Sequence, residues 1–340
     1  MPPSSIAELE SQLSHPTPAV VAMMRRLEGD ILILGVAGKM GPSLVGMAKR
    51  ASDAAGTQRR IIGVSRFRTP EARAELEEHG VETITCDLLD ESALKRLPDA
   101  PNIVYMAGMK FGSTGQEPLT WAMNAWLPGL VCQKFAQSRI AAFSTGNVYG
   151  LVPVTGSGSR ETDVPNPAGE YAMSCLGRER IFEHFALAHG TRVSLIRLNY
   201  ATDLRYGVLV DVAMQVWQGR PVNVRMGWFN TIWQRDANAL SLLSLEQAAS
   251  PAWKVNLAGA AKLSVRAAAE RFGQLFGKPV QIEGAEAEDA LLSDAGRSFT
   301  TLDQLTVSED QLIDWVAHWI SQGGALLGKP THFESRDGKF

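Results

Sequence analysis

The chain has 340 residues, 33 Lys and Arg against 36 Asp and Glu for a formal charge of −3, with 45% hydrophobic and 20% charged residues. Such a chain buries a large core as one or two domains, is neither disordered nor collagen-like, and has no broad basic face to bind nucleic acid. There is no apolar run of about 18 residues to cross a membrane, and the start, Pro2, Pro3, Ser4 and Ser5 followed by Glu8 and Glu10, does not read as a secretory leader. Cys86, Cys132 and Cys175 lack C-x-x-C spacing, which offers neither a disulfide framework nor a zinc set and fits a reducing, cytoplasmic compartment.

Residues 1–29 read as a helical lead-in, with Ile6, Leu9 and Leu13 on one face and an apolar run from Val20 to Leu27. From 30 to 198, short Ile- and Val-rich runs alternate with helix-length stretches; the strand candidates are 31–34, 61–64, 81–85, 103–106, 140–144 and 193–198. Runs apolar at consecutive positions suit strands covered on both faces, so this part is expected to be a Rossmann-type, doubly wound parallel α/β sheet. After 198 the alternation fades. Residues 199–330 are read as a smaller mixed α/β substrate lobe, with some elements returning to the first domain, and 331–340 as a tail rich in specific polar groups. The six histidines form no metal-ligand pattern, so no metal is expected.

The strongest local signal is the strand 31–34 running into Gly35-Val-Ala-Gly38-Lys39-Met40-Gly41 and then an amphipathic helix. Glycines there let backbone N–H groups approach a pyrophosphate at a helix N-terminus, which predicts dinucleotide binding. At the end of the second strand, where an NAD-preferring domain usually carries a carboxylate for the adenosine ribose, stand Ser65 and Arg66, with Arg68 beyond. A hydroxyl beside a guanidinium suits a 2′-phosphate, so NADP(H) is expected, with NAD(H) as the alternative; otherwise Arg66 is a solvated loop residue. Asp87, beside Leu88, closes the third strand, either facing the adenine or capping a helix.

The ordered set of the glycine loop, Cys86-Asp87-Leu88, Met106-Ala107-Gly108, Asn124, Ser144-Thr145-Gly146-Asn147-Val148-Tyr149-Gly150 and Tyr171 resembles the extended short-chain dehydrogenase/reductase superfamily, and within it the NAD-dependent epimerase/dehydratase family. The resemblance runs from about Asp30 to Ile320. It implies hydride transfer between a nicotinamide and a secondary alcohol or ketone of a sugar or sugar-derived substrate, with Tyr171 as acid/base and Thr145 as the orienting hydroxyl. It also implies Met106, Ala107, Gly108 and Asn124 around the cofactor, and a homodimer formed through paired helices. Asn147, Asn199 and Arg205 are the candidate substrate contacts.

Two departures matter. The lysine the family places four residues after the tyrosine is Cys175 here, and Lys110, in Met106-Ala-Gly-Met-Lys110, is the candidate replacement cation or else a solvent-facing loop residue. Thr145 is followed by Gly146 and Asn147 rather than an acidic pair, which disfavours dehydration. Beyond Asn199 the customary Gly-Pro loop is replaced by 201–206, a change that bears on the usual nucleoside diphosphate pocket. The group Arg225, Trp228, Asn230, Trp233 and Arg235 reads as a sugar or anion contact or as a lobe interface. The alternative to an enzyme is a non-catalytic or regulatory NADP-binding protein that kept the fold.

Overall fold

A computed structural model describes residues 1–110, 112 and 114–338. The six expected strands form, shifted by at most a residue or two at their ends: β1 Ile31–Leu34, β2 Ile61–Ser65, β3 Glu82–Thr85, β4 Asn102–Tyr105, β5 Arg139–Thr145 and β6 Arg192–Leu198; a seventh, β7 Trp253–Leu257, returns from the second half of the chain. All are parallel, in the order β7-β6-β5-β4-β1-β2-β3. The order reverses between β1 and β4, and it is outside the carboxyl ends of the strands at such a switch point that open α/β sheets bind ligands.

Both faces of the central strands are covered, which is why they read as apolar runs, whereas the edge strand β3 is partly exposed and alternates Thr with Ile. Ile31, Ile33, Val104, Phe143 and Ile196 pack against the helices Pro18–Arg26, Gly41–Ala54 and Gln234–Leu243. The alternate residues Leu32, Leu34, Ile103, Tyr105 and Leu195 face Leu127–Lys134 and the long helix Gly169–His189. A separate core lies among Val208–Trp217, Val265–Phe276 and Glu309–Ser321. The lead-in serves both cores: Leu9 and Leu13 are buried in the second, while Val20, Met23 and Met24 are buried in the first.

The aromatic and basic group after residue 224 is largely taken up inside this second half. Trp233 is buried edge-to-face on Trp315, with ring centroids 5.6 Å apart, Asn230 accepts from the backbone N–H of Ser293 at 2.9 Å, and Arg235 donates to the His15 carbonyl at 2.9 Å. These contacts join elements, mostly within this half and, through Arg235, to the lead-in.

The tail is held in place. Asp211 accepts from the backbone N–H of Thr331 at 2.8 Å and from its hydroxyl at 2.6 Å, Phe333 is only 2% exposed in the second core, and Arg336 pairs with Asp289. Gly338 then lies against Gly169 so closely that a Cβ on Gly169 would sit 2.4 Å from the Gly338 carbonyl oxygen. The tail therefore reaches the first residue of the helix that carries Tyr171. Lys339 and Phe340 lie outside the described residues. Truncating a buried phenylalanine costs about 3–5 kcal/mol; Phe333→Ala is expected to lower stability by about that amount in denaturant unfolding, and an unchanged midpoint would mean that the tail does not anchor the core.

Candidate active site

The glycine loop has the shape its spacing predicts. Gly35 takes φ +90, and a Cβ there would lie 2.8 Å from the Ala107 nitrogen; at Gly41 it would overlap the Val36 carbonyl oxygen at 1.8 Å. These two glycines are demanded by the protein's own packing. Gly38 differs: it is exposed, lines the cleft described next, and an added Cβ would meet only the Gly35 oxygen, at 3.4 Å. The following helix starts at Gly41 with Met40 at its cap and no side-chain cap bond; the Gly41 N–H donates to the Gly38 carbonyl at 3.0 Å and Pro42 has none, which leaves the Ser43 N–H as the one in the first turn that can turn to an anion.

A cleft of about 460 Å³ opens beside this loop, lined by Gly35, Gly38, Ser65, Arg66, Arg68, Asp87, Leu88, Met106, Ala107 and Gly108. The sequence-predicted cofactor residues from four strand ends therefore meet in one groove whose size and chemistry fit a dinucleotide. Arg66 and Arg68 make no ion pair among the described residues, and Lys329 of the chain's last segment lines the same groove. Asp87 is not the helix cap: Asp90 holds that place, accepting from the N–H groups of Ser92 and Ala93, while Asp87 accepts from Leu89 at 3.1 Å.

A second, smaller cavity of about 140 Å³ is lined by Lys39, Met40, Lys110, Thr145, Asn147, Tyr171, Asn199 and Tyr206, among others. Lys39 and Met40, expected with the cofactor, face this cavity rather than the nucleotide groove. Thr145 ends β5, donates to Asn147 Oδ1 at 2.9 Å and accepts from the Asn147 N–H at 3.2 Å, which fixes its rotamer. Tyr171 shares the cavity wall with Thr145 and packs against Cys175. Burial pushes the Tyr171 phenol well above the ordinary tyrosine range and Cys175 adds to the rise, while Arg178 and Thr145 pull only partly the other way.

The Lys110 ammonium lies 5.8 Å from the centre of the Tyr171 ring, and Lys110 is half-buried rather than a solvent-facing loop residue. Desolvation lowers it to about 8, with Cys175 opposing. Lys39 has an exposed stem on the loop, but its ammonium is crowded over the Tyr206 ring, and desolvation lowers it to about 7 against the pull of Asp203.

Two predicted contacts lie elsewhere. Asn124, in a π-helical turn (Ala122–Trp126), is fully buried: its oxygen accepts from the Met109 N–H at 2.9 Å and from Arg178 at 2.6 Å, and its nitrogen donates to the Met109 carbonyl at 2.9 Å and to Ser174 at 2.9 Å. It positions the segment leading to Lys110 against the tyrosine helix. Arg205 turns away from the cavity onto Asp203 and Glu10, both at 2.6 Å. Sequence reasoning missed Tyr200, Tyr206 and Thr331, which complete the cavity wall; Tyr200 has φ +45, an uncommon conformation for a bulky residue and one that clusters at functional sites.

The family model of the NAD-dependent epimerase/dehydratase family matches residues 31–201. The chain belongs to that family. No curated relative matches it. Among solved structures it is similar to a dTDP-glucose 4,6-dehydratase from Bacillus anthracis in complex with NAD, at 15% identity and TM-score 0.72 over 87% of this chain and 97% of that one. It is also similar to a UDP-glucuronic acid 4-epimerase from Bacillus cereus in complex with NAD, at 16% identity and TM-score 0.69 over 86% and 99% of the two chains. A Thermus thermophilus UDP-glucose 4-epimerase complexed with NAD matches at 19% identity and TM-score 0.68 over 85% and 98%. At such identity the likeness establishes the shared fold.

Among the described residues no helix is long and apolar enough to cross a membrane, and no cluster of three His, Cys, Asp or Glu is set to hold a metal. Because Asn124 satisfies both Met109 and the buried Arg178, Asn124→Ala leaves charged and backbone donors without acceptors. The expected loss is about 1–3 kcal/mol in denaturant unfolding, and an unchanged stability would contradict the positioning role.

Proposed function

We propose that the protein is an NADP(H)-dependent oxidoreductase acting on a secondary alcohol or ketone of a sugar-derived substrate, and that it is tuned toward ketone reduction. The observation that carries this reading is that Tyr171 and Thr145 line one cavity beside the nucleotide groove, close enough to act on the same oxygen. The nicotinamide, when bound, supplies the hydride donor or acceptor. The dinucleotide would be held by the Gly35–Gly41 loop and the helix N-terminus on its phosphates, by Arg66, Arg68 and Ser65 on a 2′-phosphate, and by Asp87 toward the adenine.

In the cavity, Thr145 orients the substrate oxygen and Tyr171 moves its proton. With burial raising its pKa and no lysine at 175, Tyr171 remains a phenol at neutral pH, which suits giving a proton to the oxygen of a ketone being reduced. Lys110 supplies a lysine charge beside the Tyr171 ring and steadies the phenolate left after that transfer. Epimerisation through a transient ketone would use the same two hydroxyls. A binding protein that had lost catalysis would have no need to keep Thr145 and Tyr171 together in the wall of a polar cavity.

Trp126 (59% exposed) and Met173 (47%) present apolar surface on the helical segments 117–134 and 169–189, which supports a homodimer through these helices. The three cysteines are all buried free thiols, in keeping with a reducing, cytoplasmic location.

Tyr171→Phe is expected to lower turnover by roughly 10²–10⁴-fold with dinucleotide affinity unchanged in fluorescence titration; retention of turnover would remove Tyr171 from the reaction. The double substitution Arg66→Ala, Arg68→Ala should weaken NADPH by about tenfold or more while leaving NADH nearly unaffected. Equal losses for both nucleotides, or tighter NADH binding by the unsubstituted protein, would contradict the NADP(H) assignment.

A further inference from the structure

The small cavity is built for negative charge. Lys39 and Lys110 both line it, Thr145, Tyr206 and Thr331 contribute hydroxyls, and no Asp or Glu is among its described lining residues. The Asn199 amide nitrogen, in a side chain only 2% exposed, has no hydrogen-bond partner. Buried polar donors are normally satisfied, so one that lines a cavity calls for an acceptor from a ligand. Desolvation works against both ammonium groups, and a ligand anion between them would offset it.

The cavity is also small. Residues 201–206, in place of the customary loop, fold into a turn in which the Asp203 N–H donates to the Tyr206 carbonyl at 3.0 Å and Arg205 bridges Asp203 to Glu10. That turn sets Tyr206 and Gly207 in one wall. Thr331, tied to Asp211, is in the wall as well. The resulting 140 Å³ is less than half of the ~300 Å³ at which pockets for drug-sized ligands begin.

We infer that the substrate is a small, free polyhydroxy carboxylate, a sugar acid without a nucleoside diphosphate, whose carboxylate sits against Lys39 with Lys110 as the second positive charge. This rests on the oxidoreductase reading for its reaction but not for its binding. The other anion within reach of the glycine loop is the cofactor's phosphate. Lys39 lines the small cavity with Thr145 and Tyr171 and is not among the residues lining the nucleotide groove, which favours the substrate over the cofactor's phosphates as its partner.

The test is calorimetric titration of the purified protein saturated with NADP⁺, using D-glucuronate, D-galacturonate and D-gluconate against D-glucose, D-galactose and UDP-glucose. At least one acid is expected to bind roughly tenfold or more tightly than its neutral counterpart and than UDP-glucose. Lys39→Met should erase that advantage with NADP⁺ affinity unchanged, which also reports that the variant folds, and Lys39→Arg should keep most of it. The inference is overturned if no acid binds, if glucose or UDP-glucose binds as well as the acids, or if Lys39→Met weakens NADP⁺ instead of the acid. Acid binding that depends on Lys39 but gives no nicotinamide absorbance change with either cofactor form would leave the carboxylate site standing and overturn the oxidoreductase reading. Tyr171-dependent turnover of UDP-glucose alone would do the reverse.

Discussion

Two adjacent and opposite charges, Arg178 and Glu179, buried at the middle of the helix Gly169–His189, set where Tyr171 can be. Arg178 donates to the Phe143 carbonyl at 2.7 Å, and Glu179 accepts from the Ser144 hydroxyl at 2.6 Å and from Arg197 at 2.7 Å. Phe143 and Ser144 are consecutive residues of β5, and the next residue is Thr145. Consecutive helix residues thus grip consecutive strand residues, and this locks the helix in register so that Tyr171, two turns earlier, meets Thr145 at the strand end. The Glu179–Arg197 pair is essentially sealed from solvent, and the Tyr149 hydroxyl accepts from Arg197 at 2.6 Å and donates to Asn256 of β7 at 2.7 Å. Buried pairs of this kind add little net stability but cost about 3–5 kcal/mol when one partner is removed, which makes them devices for fixing geometry.

The same arrangement explains how the helix accommodates a cysteine where a lysine is customary. Cys175 is fully buried one turn beyond Tyr171, against Val148 and Tyr149, and its thiol is pushed up by desolvation. The position has become packing. The positive charge nearest in sequence, Arg178, is engaged with Asn124 and Phe143, and it moderates the tyrosine without reversing the effect of burial. The chemistry of the cleft therefore shifts from a tyrosine poised to take a proton toward one that holds its own, with lysines arriving from the glycine loop and from the end of β4.

The parallel sheet and its glycine loop were legible because burial on both faces and glycine geometry leave direct traces in residue type. Six strands read as apolar runs, and Gly35 and Gly41 are positions where packing admits no side chain. The seventh strand was not read: Trp253–Leu257 carries Lys254 and Asn256, polar residues used in an ion pair with Glu183 and in the network with Tyr149, so its apolar run is broken. Side-chain destinations were harder. Asn124 and Arg205 look like ligand contacts by residue type, yet Asn124 is matched by Met109, Ser174 and Arg178, and Arg205 by its neighbour Asp203 and by Glu10 of the lead-in, pairings no local pattern reveals. Thr331 and Lys329 reach the cleft through the folding of the tail onto Asp211 and Phe229 rather than through any motif; the only local sign was a terminus unusually rich in specific polar groups.

The account turns on Tyr171 being a phenol at neutral pH, and the pH dependence of single turnovers in the two directions tests this most directly. With cofactor prebound, the rate of alcohol oxidation should climb about tenfold per pH unit from pH 6 to above 9, following the small phenolate fraction, while ketone reduction stays flat over the same range. Oxidation that levels off near pH 7 would mean that Tyr171 is already ionised there, and would contradict the conclusion that burial without the customary lysine governs the site.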